Sequence, residues 1–333
     1  MLPPTTHRGD PHPPPRRVQP LLTGARNRPP GTPAAPDRAR GLPYRAGAAA
    51  AGLRDIVRGP YRPTRILGVF RSAVYLEVED PRRPAVIALL ASDAVRLPNG
   101  IVLAEPQSAE PFACVAVSTQ VRVGRLSVVF DRPAGPLSVR VGRWWRPPAP
   151  RPAGPSREGR AASARGVAEL AALLAGVSGG LPAGAAAPLA TAVDDPDRAA
   201  LVCERLLGLG PGLTPSGDDL LCGALLAVRA LGGPDRTDVL AAAVRRARSA
   251  TTALSAALLE HAARGEGCPQ AVGLVEAVTG HRAVAPALAA LRAVGHTSGT
   301  DLALGVLAGA RAVVGPGAAR AGAAGAVHRE PDR

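Results

Sequence analysis

The chain has 333 residues and a formal net charge of +14, and its 40 Lys and Arg positions are all arginine. The missing lysine excludes a Schiff base, a Walker-type phosphate lysine and a Ser-Lys dyad. Nucleic acid is not the partner that the charge suggests: residues 1–65 hold 12 Arg against Asp10, Asp37 and Asp55, a surplus of 9, whereas residues 156–310 hold 13 Arg against 14 acidic residues, a net of −1. Such a partner would call for a basic stripe on the folded domain with aromatics for stacking, and aromatics make up 2% of the chain.

In chain order, residues 1–45 read as a disordered extension, because Pro13 to Pro15, Pro29-Pro30 and repeated Arg leave little apolar surface to offset the ordering entropy. Residues 46–145 form a β-rich domain, with short Val/Ile/Leu runs at Arg65 to Phe70, Ala73 to Val78, Ala85 to Leu90, Cys114 to Val117, Gln120 to Val123, Leu126 to Phe130 and Leu137 to Val141. Turn signals at Asp80-Pro81, Pro98-Asn99-Gly100 and Arg132-Pro133 separate them, so the expected form is a small antiparallel barrel or sandwich. Residues 146–156, rich in Pro, are the linker.

Residues 157–314 then read as an all-helical domain, giving an α+β chain. Its expected helices run over Pro196 to Leu207, Gly217 to Leu231, Thr237 to Arg248, Thr252 to Arg264, Pro269 to Val278, Val284 to Val294 and Gly299 to Val313. Leu170 to Val193 carries no charge, but Gly176, Gly179-Gly180, Pro182, Gly184 and Pro188 interrupt it, which predicts a helix followed by a small-residue loop and not a membrane span. Residues 315–333 read as a disordered tail, and with four cysteines far apart and no export signal the expected location is the cytoplasm.

One motif occurs twice. Ser216-Gly217-Asp218-Asp219-Leu220 opens an S-G-x-D-L-x-x-G-x-L unit that returns 82 positions later (298 minus 216) as Ser298-Gly299-Thr300-Asp301-Leu302. Ser followed three positions on by Asp is the pattern of a capping box. Ahead of the first unit, Gly208 to Pro215 is a glycine-rich run that brings backbone N–H groups close to a ligand, so Gly210, Gly212, Thr214, Ser216 and Gly217 are candidate binders of a small anion.

Asp218, Asp219 and Asp301 are candidates to orient such a ligand or to hold a divalent ion such as Mg. His296, beside Ser298 and Gly299, is the candidate acid or base, and Asp219 and Asp301 are the other candidate catalytic residues. Thr252 and Ser255, three apart on a helix, add hydroxyls. Asp219, Gly223 and Ala227 share one helix face, as do Asp301, Gly305 and Gly309. If the two helices cross on those small residues, both units line one pocket about a pseudo-twofold axis.

These residues carry a resemblance. GLGPGLTPSGDDLLCG (Gly208 to Gly223), TTALSAALLEHAARGE (Thr251 to Glu266) and GHTSGTDLALG (Gly295 to Gly305), with the less specific VFRSAVYLEV and PNGI earlier, make the chain similar to the AllH-like family over roughly Thr64 to Val313. The resemblance implies a subunit of an oxamate carbamoyltransferase complex of anaerobic allantoin breakdown, with FdrA-like and AllG-like partner subunits, acting on oxalurate and phosphate. The alternative is a non-catalytic scaffold that docks partner subunits, its Ser and Asp residues acting only as helix caps.

Overall fold

The structure, a computed structural model, describes residues 44–79 and 85–315. The expected Asp80-Pro81 turn and nearly all of the two expected disordered ends lie outside the described residues. The first described residues, Tyr44 and Arg45, already belong to a strand.

Eight strands close into a barrel: β1 (Tyr44–Ala50), β2 (Arg62–Val69), β3 (Ala73–Val78), β4 (Ala85–Leu90), β5 (Gly100–Leu103), β6 (Gln120–Gly124), β7 (Ser127–Asp131) and β8 (Leu137–Trp145). Around the barrel they follow the order β1-β5-β4-β3-β2-β6-β7-β8. A short helix, α1 (Arg54–Arg58), follows β1. The expected barrel is present, but it is mixed and not purely antiparallel. β4 and β5 run parallel, with Ala88 opposite Gly100, because residues 91–99 carry the chain back along the sheet before β5 begins. β1 also runs parallel to β8, and this pairing closes the barrel.

Cys114 to Val117 is not a strand. Turns replace it, with the Val115 N–H bonded to the Phe112 carbonyl, and Phe112 and Val115 both enter the barrel core. Side chains three residues apart point the same way in a turn but to opposite faces in a strand, so the apolar run fits the turn.

Side-chain alternation decides which face of the barrel does what. Val74 and Leu76 of β3 and Ile87 and Leu89 of β4 fill the interior. Ala73 and Tyr75, with Ala88 and Leu90, form a second apolar cluster on the other face. A strand buried on both faces reads as an unbroken apolar run, as Ala85 to Leu90 does.

The helices are α2 (Arg157–Leu173), α3 (Pro196–Leu206), α4 (Ser216–Ala247), α5 (Ala253–Ala263), α6 (Pro269–Val278), α7 (Val284–Arg292) and α8 (Ser298–Val314). Asp195 caps α3, accepting from the N–H groups of Asp197 and Arg198, with Pro196 in the first turn. The two helices expected over Gly217 to Leu231 and Thr237 to Arg248 are joined as α4, which kinks where Gly233 takes φ 80° ahead of Pro234. Their core is one large Leu/Ala cluster that includes Leu170, Leu189, Leu221, Leu225, Leu274 and Val306. Among the described residues no helix is long and apolar enough to cross a membrane.

Residues 146–155 are irregular but held down. The Ala153 N–H bonds the Ala230 carbonyl, and the Pro148 carbonyl accepts from Gly267.

Candidate functional site

The two repeat units meet where α4 and α8 cross. A methyl group at Gly223 would fall on the Leu302 carbonyl oxygen, one at Gly305 on that of Leu220, and one at Gly309 on that of Ala224. Glycine is required on these faces because backbone touches backbone. The first glycine of each unit also has a matching use: Gly217 packs on the Leu206 carbonyl at the end of α3, and Gly299 on that of Leu291 near the end of α7. Each helix start is thereby seated against the end of an earlier helix.

The Ser and Asp residues do not cap these helices. Ser216 and Ser298 are the first helical residues, the N-cap positions are Pro215 and Thr297, and neither helix has a side-chain cap bond. Backbone carbonyls take the first-turn donors instead. Gly217 N–H bonds Leu209, Asp218 and Asp219 bond Pro215, Gly299 bonds Val294, and Thr300 and Asp301 bond Thr297. The donors that a bare helix start offers an anion are therefore largely used, and the carboxylates are left for other work.

Asp218 is a clamp for the glycine-rich run. Its Oδ1 accepts the Gly208 N–H at 2.9 Å, and its Oδ2 accepts the Thr251 hydroxyl. Burial raises its pKa, while these bonds and Ser255 work against the rise. Thr252 caps α5 by accepting the Ser255 N–H at 3.1 Å, and its hydroxyl donates to the Leu213 carbonyl at 2.6 Å. The Ser255 hydroxyl reaches the same carbonyl at 3.3 Å. Gly210, at φ 117°, lies against the Ser216 nitrogen, and Gly212 takes φ 91° with nothing near its α-carbon.

Asp219 and Asp301 each stand beside the other unit's serine. The Ser298 hydroxyl faces the Asp219 carboxyl and favours its ionised form, but burial dominates, and with Asp301 and Asp218 nearby it pushes the pKa up to about 8. Asp219 is 6% exposed, and its Oδ2 is buried with no hydrogen-bond partner. Asp301 is fully buried and accepts the Gly180 N–H on Oδ1 at 2.9 Å, leaving Oδ2 without a partner. The loop at Gly179-Gly180 lies directly on Asp301 and on the Ser216 hydroxyl, with no room for a side chain on either glycine.

Of the two aspartates, Asp219 lines a cavity and Asp301 is not among its lining residues. A space of about 320 Å³ lies between the outer face of β3 and β4 and helices α4, α5 and α8. Tyr75, Leu90 and Leu97 wall it on the barrel side, and Leu226, Leu258 and Leu302 on the helix side. Its polar groups are those of Ser72, Tyr75, Thr214, Asp219, Glu266 and Ser298, with the thiols of Cys222 and Cys268. The Thr214 and Ser298 hydroxyls are 3.5 Å apart. A mainly apolar cavity with a few convergent polar groups is the usual form of a small-molecule site. Among the described residues no arginine lines it.

Of the expected site residues, Thr214, Asp219 and Ser298 line this cavity. Gly210, Gly212, Ser216, Gly217, Asp218, Thr252, Ser255 and Gly299 are not among its lining residues, and Asp301 lies with the Ser216 hydroxyl under the Gly179-Gly180 loop. His296 is exposed and is not among the lining residues, although its neighbour Gly295 is. A divalent ion does not fit the three aspartates. Asp218 turns to Gly208 and Thr251, Asp301 to Gly180 and Asp219 to Ser298, and among the described residues no group of three or more His, Cys, Asp or Glu is placed to hold a metal.

Sequence reasoning missed the barrel wall, the two thiols and Glu266. Glu266 Oε2 accepts from His261 Nδ1 at 2.6 Å, with Arg264 Nε 3.6 Å away. The His261 bond, ahead of burial, which opposes it, lowers the Glu266 pKa. Burial raises both Cys222 and Cys268, so neither is a ready thiolate. No solved structure matches the chain. Residues 206–310, which run from the end of α3 through the glycine-rich run, both repeat units and Glu266, match the model of the family described as oxamate carbamoyltransferase subunit AllH.

Proposed function

We propose that the chain is a subunit of an oxamate carbamoyltransferase-type complex, which converts oxalurate and phosphate to oxamate and carbamoyl phosphate beside FdrA-like and AllG-like subunits. In this reading the Asp219 cavity takes the carboxylate of the small substrate. The observation that carries it is the lone Asp219 Oδ2, buried in the cavity wall without a partner. A buried polar atom with no partner costs about 1–3 kcal/mol, a cost that a bound ligand removes.

With its pKa pushed up to about 8, the Asp219 carboxyl is mainly protonated at neutral pH, and it donates to a substrate carboxylate without any cation. The Ser298 and Thr214 hydroxyls add donors beside it, and the N-termini of α4 and α8 contribute positive potential. Phosphate, more highly charged, finds no arginine in this wall and is left to a partner subunit.

Phosphate-dependent cleavage of oxalurate by the complex, assayed with and without this chain, tests the assignment. Loss of activity on omission is the expected result, and unchanged activity removes the reading. A scaffold is separated from a substrate-binding subunit by Asp219→Ala, which removes the donor and in a scaffold leaves turnover intact.

A further inference from the structure

The cavity has a second polar end that the proposed carboxylate site does not use. Glu266 lines it, just past the end of α5 and ahead of the start of α6 at Pro269. Its carboxylate is fixed from behind by His261, whose side chain is 12% exposed, and Arg264 adds a cation outside the wall. Neither His261 nor Arg264 lines the cavity. Among the described residues, the charged group that lines this end is an acceptor.

The two ends are set apart by the helix they flank. Gly267 sits on Leu226, where a methyl group would come within 2.9 Å of Leu226 Cδ1, and Leu226 lies seven positions (226 minus 219) along α4 from Asp219. At 1.5 Å rise per residue this is about 10 Å. A ligand that reaches from one end to the other is a short chain, and the cavity of about 320 Å³ has room for one. Between the ends the wall is apolar: Leu226, Leu258, Ala262, Leu302 and Tyr75.

We infer that Glu266, fixed by His261, is the specificity-determining residue of this cavity, accepting the N–H groups of an uncharged amide or ureido end of a ligand whose carboxylate lies at Asp219. The inference rests on the proposed function and deepens it by assigning the residue that reads the far end of the substrate. A second carboxylate at that end is set against the Glu266 carboxylate, and among the described residues no arginine lines the cavity to receive it, so dicarboxylates of the same length are refused. The His261 bond keeps Glu266 ionised, and so an acceptor.

Calorimetric titration of the full-length chain with oxalurate, and with succinamate and succinate, tests this. The last two have equal length and differ only in an amide against a carboxylate. Wild type is expected to bind oxalurate and to prefer succinamate to succinate by about tenfold or more, and Glu266→Gln to reduce that preference to within about threefold. His261→Gln, which leaves Glu266 in place but loosened, is expected to reduce it partway, and circular dichroism confirms that both variants fold. If wild type binds oxalurate but shows no preference, or the preference survives in Glu266→Gln, the inference is overturned and the carboxylate site stands. If wild type binds no oxalurate, both fall.

Discussion

The two S-G-x-D-L-x-x-G-x-L units have one sequence pattern and one backbone arrangement but different surroundings. Each puts a serine at the first position of a helix, a glycine against the end of an earlier helix and an aspartate beside the other unit's serine. Asp219 opens on a cavity whose opposite wall is the barrel, whereas the loop at Gly179-Gly180 closes over Asp301 and occupies one of its oxygens. A repeated motif therefore supplies a repeated scaffold, and the elements packed on it decide which copy meets a ligand. The loop that closes one copy lies outside both motifs, 121 positions before the aspartate it bonds.

Substitutions at equivalent positions make this difference measurable. The largest effect is expected at Asp219: Asp219→Ala removes the donor that meets the substrate carboxylate and is expected to lower kcat/KM of the assembled complex by about 100-fold while the chain stays folded. Asp301→Asn is expected to leave KM within about twofold, since no substrate reaches it. Equal kinetic losses in the two variants would erase the distinction between the units.

Next in size is the helix crossing, which both units share. Gly305→Ala places a methyl group on the Leu220 carbonyl oxygen and is expected to cost about 1–3 kcal/mol in denaturant unfolding, with Gly223→Ala similar. A neutral result at either position would mean that the helices separate without cost and that the backbone contact is not what holds the units together.

A smaller effect separates the aspartates by pH. Asp219 ionises at about 8 in the folded protein against an ordinary value of 3.8, so the native state keeps a proton that the unfolded chain has already lost between those values. The stability tied to that proton is full below the ordinary value and is lost as pH rises through about 8. Asp219→Asn is expected to remove this loss, so that Tm of the variant gains on wild type as pH is raised toward 8. A constant difference in Tm across that range would contradict the raised pKa. The smallest effect is at the α5 cap, where Thr252→Ala is expected to cost about 1 kcal/mol and to loosen the loop at Leu213, seen as faster amide exchange there.

What the sequence made legible follows from how local the signal is. The helix of Pro196 announces itself through Asp195, and α6 through its apolar run from Pro269, because caps and periodicity are written in neighbouring residues. β1, with only Ala, Gly, Tyr and Arg in Tyr44–Ala50, has no strand signature and is fixed by pairing with β8 and β5. The crossing of α4 and α8 was legible from spaced small residues. The capping box was not sound: Pro215 and Thr297 start the helices, which frees both aspartates for longer-range contacts. Glu266 stayed hidden because its role depends on His261 one turn back and on a barrel wall distant in sequence. The parallel pairing of β4 with β5 likewise depends on where residues 91–99 travel and not on any residue within the strands.

Binding of oxalurate to the full-length chain, followed by calorimetry from about pH 6 to about pH 9, tests the carboxylate site most directly. Wild-type affinity is expected to hold below the Asp219 pKa of about 8 and to fall above it, and Asp219→Asn, whose amide keeps a donor but no titrating proton, is expected to show no such break. Affinity that is flat across this range in wild type, or a break that persists in Asp219→Asn, would contradict it.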